Sequence, residues 1–260
     1  MTIGAEPANL SSGSFANPEA AIVEFDRSTI TTNGYQLALV EDPQWRRVVG
    51  SARDIGVGSD GSVWVIGTDR RGGGYGIYRW NGSDWNRLEG GAVRIDVDPE
   101  GNPWIINSFD DIFHYVNGNW QQMPGSAKDV GVGVDGSVWV VSRGGGVNWT
   151  GERWEGVGGS GVRVDVDQNG APWVIGRNDD IFQFVAGTWE SRPGDARDIG
   201  IGGDGSVWVI GTRRRGGTSG IYSWADGNWN PVSGNATEIS VDADGFPWIV
   251  NQSGDIYTSH

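Results

Sequence analysis

From residue 45 onward, short runs of β-branched and aromatic residues alternate with polar turns, and no stretch shows the 3.6-residue apolar period of a helix. In the first such stretch Asp54-Ile-Gly-Val-Gly58 and Ser62-Val-Trp-Val-Ile66 flank Ser59-Asp60-Gly61. The residue before the turn glycine recurs as Asp60, Glu100, Asp135, Asn169, Asp204 and Asp244. An acidic or amide residue followed by glycine suits a tight hairpin, because glycine tolerates positive φ. A second hairpin follows, with Gly76-Ile-Tyr-Arg-Trp80 and Trp85-Asn-Arg-Leu88 around Asn81-Gly-Ser-Asp84. Each unit therefore predicts a four-stranded antiparallel meander of roughly 35–40 residues, a propeller-blade length. Its strands are a, b, c and d in chain order.

The tryptophans count the units. Trp45 and Trp64, Trp85 and Trp104, Trp120 and Trp139, Trp154 and Trp173, Trp189 and Trp208, and Trp229 and Trp248 are each 19 residues apart. Length varies only from the second tryptophan of a pair to the first of the next, as 21, 16, 15, 16 and 21 residues. One rigid unit used six times, with an adjustable loop, predicts an all-β six-bladed β-propeller of four-stranded blades over residues 45–260. The sixth copy ends one strand short at Tyr257-Thr-Ser-His260, and Trp45-Arg-Arg-Val-Val49 is surplus at the other end. The N-terminal strand is thus expected to complete the last blade. Gly56, Gly58, Gly131, Gly133, Gly200 and Gly202 are expected where backbones approach closely near the axis. Residues 1–44 lie outside the frame and read as a partly flexible arm.

The copies alternate. Odd ones carry Asp54-Ile-Gly-Val-Gly58 and its like; even ones carry Arg94-Ile-Asp-Val-Asp98, Arg163-Val-Asp-Val-Asp167 and Glu238-Ile-Ser-Val-Asp242. This gives pseudo-threefold symmetry and predicts salt bridges of Asp54 with Arg94 and of Asp129 with Arg163. Asp96 and Asp98 echo a calcium loop, but the bidentate twelfth-position glutamate is missing. They are expected to bond to the glycine backbone of the adjoining copy, so no cofactor is expected, with a calcium ion in the channel as the alternative.

Composition narrows the function. The formal net charge is −14, which argues against nucleic acid and anionic lipid as partners. There are no cysteines and only two histidines, so thiolate chemistry is absent and a catalytic triad would rest on His114. Features distributed threefold do not single out one catalytic constellation, so an enzyme is not expected. No apolar stretch is long enough for a transmembrane helix, and no signal peptide is evident. That points to the cytoplasm or to export by a non-classical route.

The pattern Ala52-Arg-Asp-Ile-Gly-Val-Gly-Ser-Asp-Gly-Ser-Val-Trp64, then Gly76-Ile-Tyr78, then Trp85, resembles the tectonin repeat, in all six copies. The resemblance implies a propeller that is a lectin binding glycans, methylated ones included, on a cell or microbial surface. The alternative it leaves open is a scaffold or adaptor module that binds a protein partner, with the N-terminal arm as its attachment. The alternation favours three sites over six.

The b–c loops vary in length, which suits recognition. The odd ones offer Arg70, Arg71 and Tyr75, then Arg143, then Arg214 and Arg215; the even ones offer Asp110 and Asp111, then Asp179 and Asp180. Arginine and aspartate suit sugar hydroxyls, and a tyrosine supplies a stacking face. The same charges also suit solvated loop tips that pair across blades. The tryptophans, placed within apolar strands or opposite other aromatics, read as core and cross-strand staples.

Overall fold

A computed structural model describes residues 43–142, 144–212 and 220–260; the proposed arm up to residue 42, with Arg143, Arg214 and Arg215, lies outside the described residues. Every regular element among the described residues is a β-strand, 22 in all; all pair antiparallel, with chain neighbours except where Arg46–Val57 also pairs with Asp255–Thr258. They form two seven-stranded and two four-stranded sheets. The seven-stranded sheets arise because two long strands each serve two ladders. Arg46–Val57 pairs first with Asp255–Thr258 and then with Val63–Arg71. Thr188–Ile201 pairs first with Asp180–Val185 and then with Val207–Gly211. Each bends at a register shift, between Ala52 and Asp54 or between Ala196 and Asp198, where it passes from one meander to the next.

The core lies between meanders. Along each b strand the period of two turns alternate residues to opposite faces. Trp64 and Ile66 pack with Ile77 and Ala92 against Ile95, Val97 and Ile105 of the following copy, while Val63 and Val65 join Trp248, Val250 and Ile256 of the preceding one. Six such clusters occupy six junctions, including the one that joins the chain's last copy to its first. The b-strand tryptophans are accordingly buried, from 2% exposed at Trp64 to 9% at Trp208 and Trp248.

A belt of hydrogen bonds joins the six a strands, one at each junction. Asp54 accepts the Ile95 amide, Asp96 that of Val132, Asp129 that of Val164, Asp165 that of Ile201, and Asp198 that of Ile239, at 2.6–2.9 Å. Ser240 accepts the Val57 amide at 3.0 Å and returns the belt to the first copy. The alternation seen in the sequence is the belt's chemistry: odd copies reach forward with their first aspartate, even ones with their third residue. Glycine is required where the strands meet, since a Cβ on Gly131 would lie 2.8 Å from the Asp165 Cα.

The d-strand tryptophans tie the outside. Trp85, Trp120, Trp154 and Trp229 face Trp80, Tyr115, Trp149 and Trp224 across the c–d ladder, with ring centroids 4.7–4.9 Å apart. Their indole N–H groups donate to Val49, Glu89, Pro124 and Pro193 carbonyls of the preceding copy, and Trp45 donates likewise to Ser233.

Candidate functional site

The strands place two polar assemblies, one on the rim carrying the b–c loops and one where the a strands converge. On the rim, the hairpin of the first copy turns at Gly72-Gly73, and the Gly73 carbonyl accepts the Ser108 amide of the second copy's b–c turn at 2.8 Å. An arginine loop and an Asp-Asp loop thus adjoin through the main chain. Arg70 and Arg71 are exposed; Arg71 pairs with Asp69 at 2.8 Å. Burial would raise the Asp69 carboxyl, but the Tyr78 hydroxyl, donating at 2.9 Å, and the Arg71 charge outweigh it and hold it below its ordinary range. The Tyr75 ring carries the Arg53 guanidinium 4.2 Å from its centroid and that of Arg70 at 5.4 Å, so it is a seat for cations.

The even b–c turns are built alike. Asp110 and Asp179 both take φ of 70°, and the 107–111 and 176–180 turns close with main-chain bonds of 3.0 and 2.8 Å. The Asp110 and Asp179 carbonyls accept the Ala127 and Ala196 amides, fixing each turn to the next copy. Asp110 pairs with Lys128 at 2.6 Å, and Asp111 accepts the Asn107 side-chain amide at 3.0 Å. Asp180 stands opposite Asp195 in its ladder.

Between Ser108 and Asp110 sits a residue that the charge pattern does not reveal. Phe109 is 72% exposed, at the tip of the turn that touches the arginine hairpin. Its legible signal is being the one large apolar side chain in a turn whose counterparts, Arg177-Asn178 and Gln252-Ser253, are polar.

Where the a strands converge, Arg94 lies 3.6 Å from Asp54, 3.5 Å from Asp129 and 3.4 Å from Glu238. Arg163 lies in direct contact with Asp198 at 3.2 Å and Glu238 at 3.8 Å, while Asp129, the partner that the sequence spacing suggests, acts on it by charge without such a contact. Its guanidinium reaches forward to the next odd copy. Two arginines thus face six acids. Burial raises Asp129 to about 6, against the pull of Arg163 and Arg94. It likewise raises Asp198 to about 7, Asp96 to about 8 and Glu238 to about 9, and lifts Asp54 and Asp165 above their ordinary range. The cavities here measure only ≈ 20 and ≈ 30 Å³, room for a water or two.

Asp98, expected to follow Asp96 across the junction, instead closes its own hairpin. It accepts the Glu100 and Asn102 amides and bonds His114 Nε2 at 2.9 Å, because its strand ends at Val97. Burial works against its charge, but the bonds from His114 and Asn102 win and hold its carboxyl below the ordinary value. Among the described residues no group of three or more acidic or histidine side chains is placed to hold a metal ion.

The family model of the tectonin domain matches residues 26–118, 92–170 and 170–260. The chain belongs to the tectonin family. No curated protein matches this tectonin in sequence. Among solved structures it is similar to YCF48 bound to D1 peptide, with a TM-score of 0.52 at 16% identity over 85% of this chain and 84% of that one. It is also similar to the WD40 β-propeller domain of Doa1, with a TM-score of 0.54 at 12% identity over 83% and 96% of the two chains. A putative gluconolactonase gives 0.57 at 12% identity over 82% and 90%. These likenesses establish a β-propeller fold for the tectonin, and no helix among its described residues is long and apolar enough to cross a membrane.

Proposed function

We propose that this tectonin is a six-bladed propeller acting as a non-catalytic, multivalent carbohydrate-binding protein, with sites on the b–c rim for glycans of a cell or microbial surface. The observation that carries the reading is Phe109, exposed beside the hairpin that presents Arg70 and Arg71. Phe109 offers an open aromatic face to a pyranose ring, a role that the sequence suggests for Tyr75 or Tyr78. The two arginines and Asp110 offer donors and acceptors to its hydroxyls. In the sequence Arg143, Arg214 and Arg215 belong to the corresponding odd loops, and Asp111, Asp179 and Asp180 to the even turns. Weak single sites on one rigid rim gain avidity against a repetitive surface.

A glycan array and an agglutination assay test this. Binding is expected in the parent protein, with at least a tenfold loss in Phe109→Ala and Arg71→Ala at unchanged melting temperature. Undiminished binding in both variants would remove the rim site from the argument. A second reading, an adaptor that docks on protein, draws on the YCF48 likeness, since that structure holds a peptide. A blank array, with a protein partner lost on truncation of residues 1–44, favours it.

A further inference from the structure

Five of the six junctions are plugged by an isoleucine, and the sixth is not. Ile77, Ile112, Ile181, Ile221 and Ile256, all at most 1% exposed, stand opposite Ile66, Ile106, Ile175, Ile210 and Val250 in their b–c ladders. The register places Gly146 at the same point, opposite Val141. Among the described residues its cluster is correspondingly the smallest, with five buried residues where the others have seven or eight. A cavity of ≈ 130 Å³ lies there, lined by Gly146, Gly159, Ser160, Val174, Phe182 and Trp189. Its walls are mainly apolar.

Two further features mark the place. Trp189 occupies the staple position, but its buried Nε1 has no hydrogen-bond partner, unlike that of Trp45, Trp85, Trp120, Trp154 or Trp229. The backbone of Gly146 lies outside the positive-φ region, so conformation does not demand glycine there. What glycine does is leave room. An empty apolar cavity costs stability, and one of similar size holds benzene in another protein. Exposed Gly159 and Ser160 put its mouth at the surface.

We propose that the space between Gly146 and Trp189 is a binding site for a small neutral apolar group with the bulk of an isoleucine side chain, a branched four-carbon chain or a ring no larger than benzene. The five plugged junctions define its shape. The site is independent of the b–c rim reading.

The test uses benzene and 2-methylbutan-1-ol on the full chain, with glucose as the polar control. Both apolar probes are expected to raise the melting temperature saturably and to shift the indole Nε1–H resonance of Trp189, assigned with Trp189→Phe. Gly146→Ile is expected to melt higher than the parent and to abolish both responses. A Cβ there lies 3.2 Å from Trp189 Cζ2, so the indole must yield by a few tenths of an ångström. Should that variant fail to fold, Gly146→Ala is expected to bind benzene at least threefold more weakly. No saturable response in the parent protein, or an equal response in the filled variants, overturns the proposal.

Discussion

Glu238 stands in the sixth copy where Arg94 and Arg163 stand in the second and fourth, and its carboxylate lies 3.4 Å from the Arg94 guanidinium and 3.8 Å from that of Arg163. Among the three residues at this place it alone is an acid. Yet Asp54, Asp129 and Asp198 already claim those cations, and burial with Asp198 and Asp54 nearby raises Glu238 to about 9. At neutral pH it is protonated.

Stability should therefore fall as the solution is made alkaline. Raised carboxyl pKa values mean that the folded protein keeps protons which the unfolded chain releases near pH 4. The associated stability is complete below that range and is lost as pH climbs through about 6 for Asp129, 7 for Asp198, 8 for Asp96 and 9 for Glu238. Each retained proton gives a slope of about 1.4 kcal/mol per pH unit. Urea unfolding at pH 6, 7.5 and 9 measures it, and a flat profile would contradict the buried acid cluster.

Glu238→Gln removes one of those titrations. Its stability should match that of the parent protein within ~1 kcal/mol near pH 4 and exceed it by a growing margin from pH 6 to pH 9, with a slope shallower by about one proton. Equal slopes in the two proteins would mean that Glu238 is ionised throughout.

Close approach of the a strands predicts that Gly131→Ala is costly. The added methyl meets the Asp165 Cα and the Val164 carbonyl, both at 2.8 Å, and neither is the end of a flexible side chain. A loss of about 1–3 kcal/mol is expected from such overpacking. Gly72→Ala, where nothing lies within 4 Å, is the control and should be nearly neutral. Chemical denaturation of both variants gives the comparison.

The staples can be weighed one against another. Trp85→Phe loses a 2.6 Å bond to the Val49 carbonyl, whereas Trp189→Phe loses no such bond. The first should cost ~1 kcal/mol more than the second. Equal losses would show that ring packing alone matters at these positions.

The sequence carried what depends on spacing. Invariant 19-residue intervals imposed equal meanders, the glycines of the a strands marked backbone contact, and the Asp–Arg alternation marked two kinds of copy. Direction across a junction was not legible. Asp96 crosses and Asp98 does not because the strand stops at Val97, a boundary that the period-two pattern runs past. Arg163 reaches past the aspartate nearest in pattern because a long side chain chooses among several acids by three-dimensional position. Tyr75 was legible as an exposed-loop aromatic, but its cover by Arg53, 22 residues earlier, was not. Phe109 and Gly146 escaped for a common reason: each is one departure from a repeat, and repeats draw the eye to what is shared.

The ladder between Arg46–Ser51 and Asp255–Thr258 sets the order of events during biosynthesis. The segment around Arg46 finds its partner only when residues some two hundred positions later have left the ribosome. Until then the first meander presents an unpaired edge and the sixth junction has one wall. Pairings so distant in the chain are slow to form and vulnerable while they wait. A nascent tectonin cut before Asp255 would stay unlatched, its edges open to neighbouring chains.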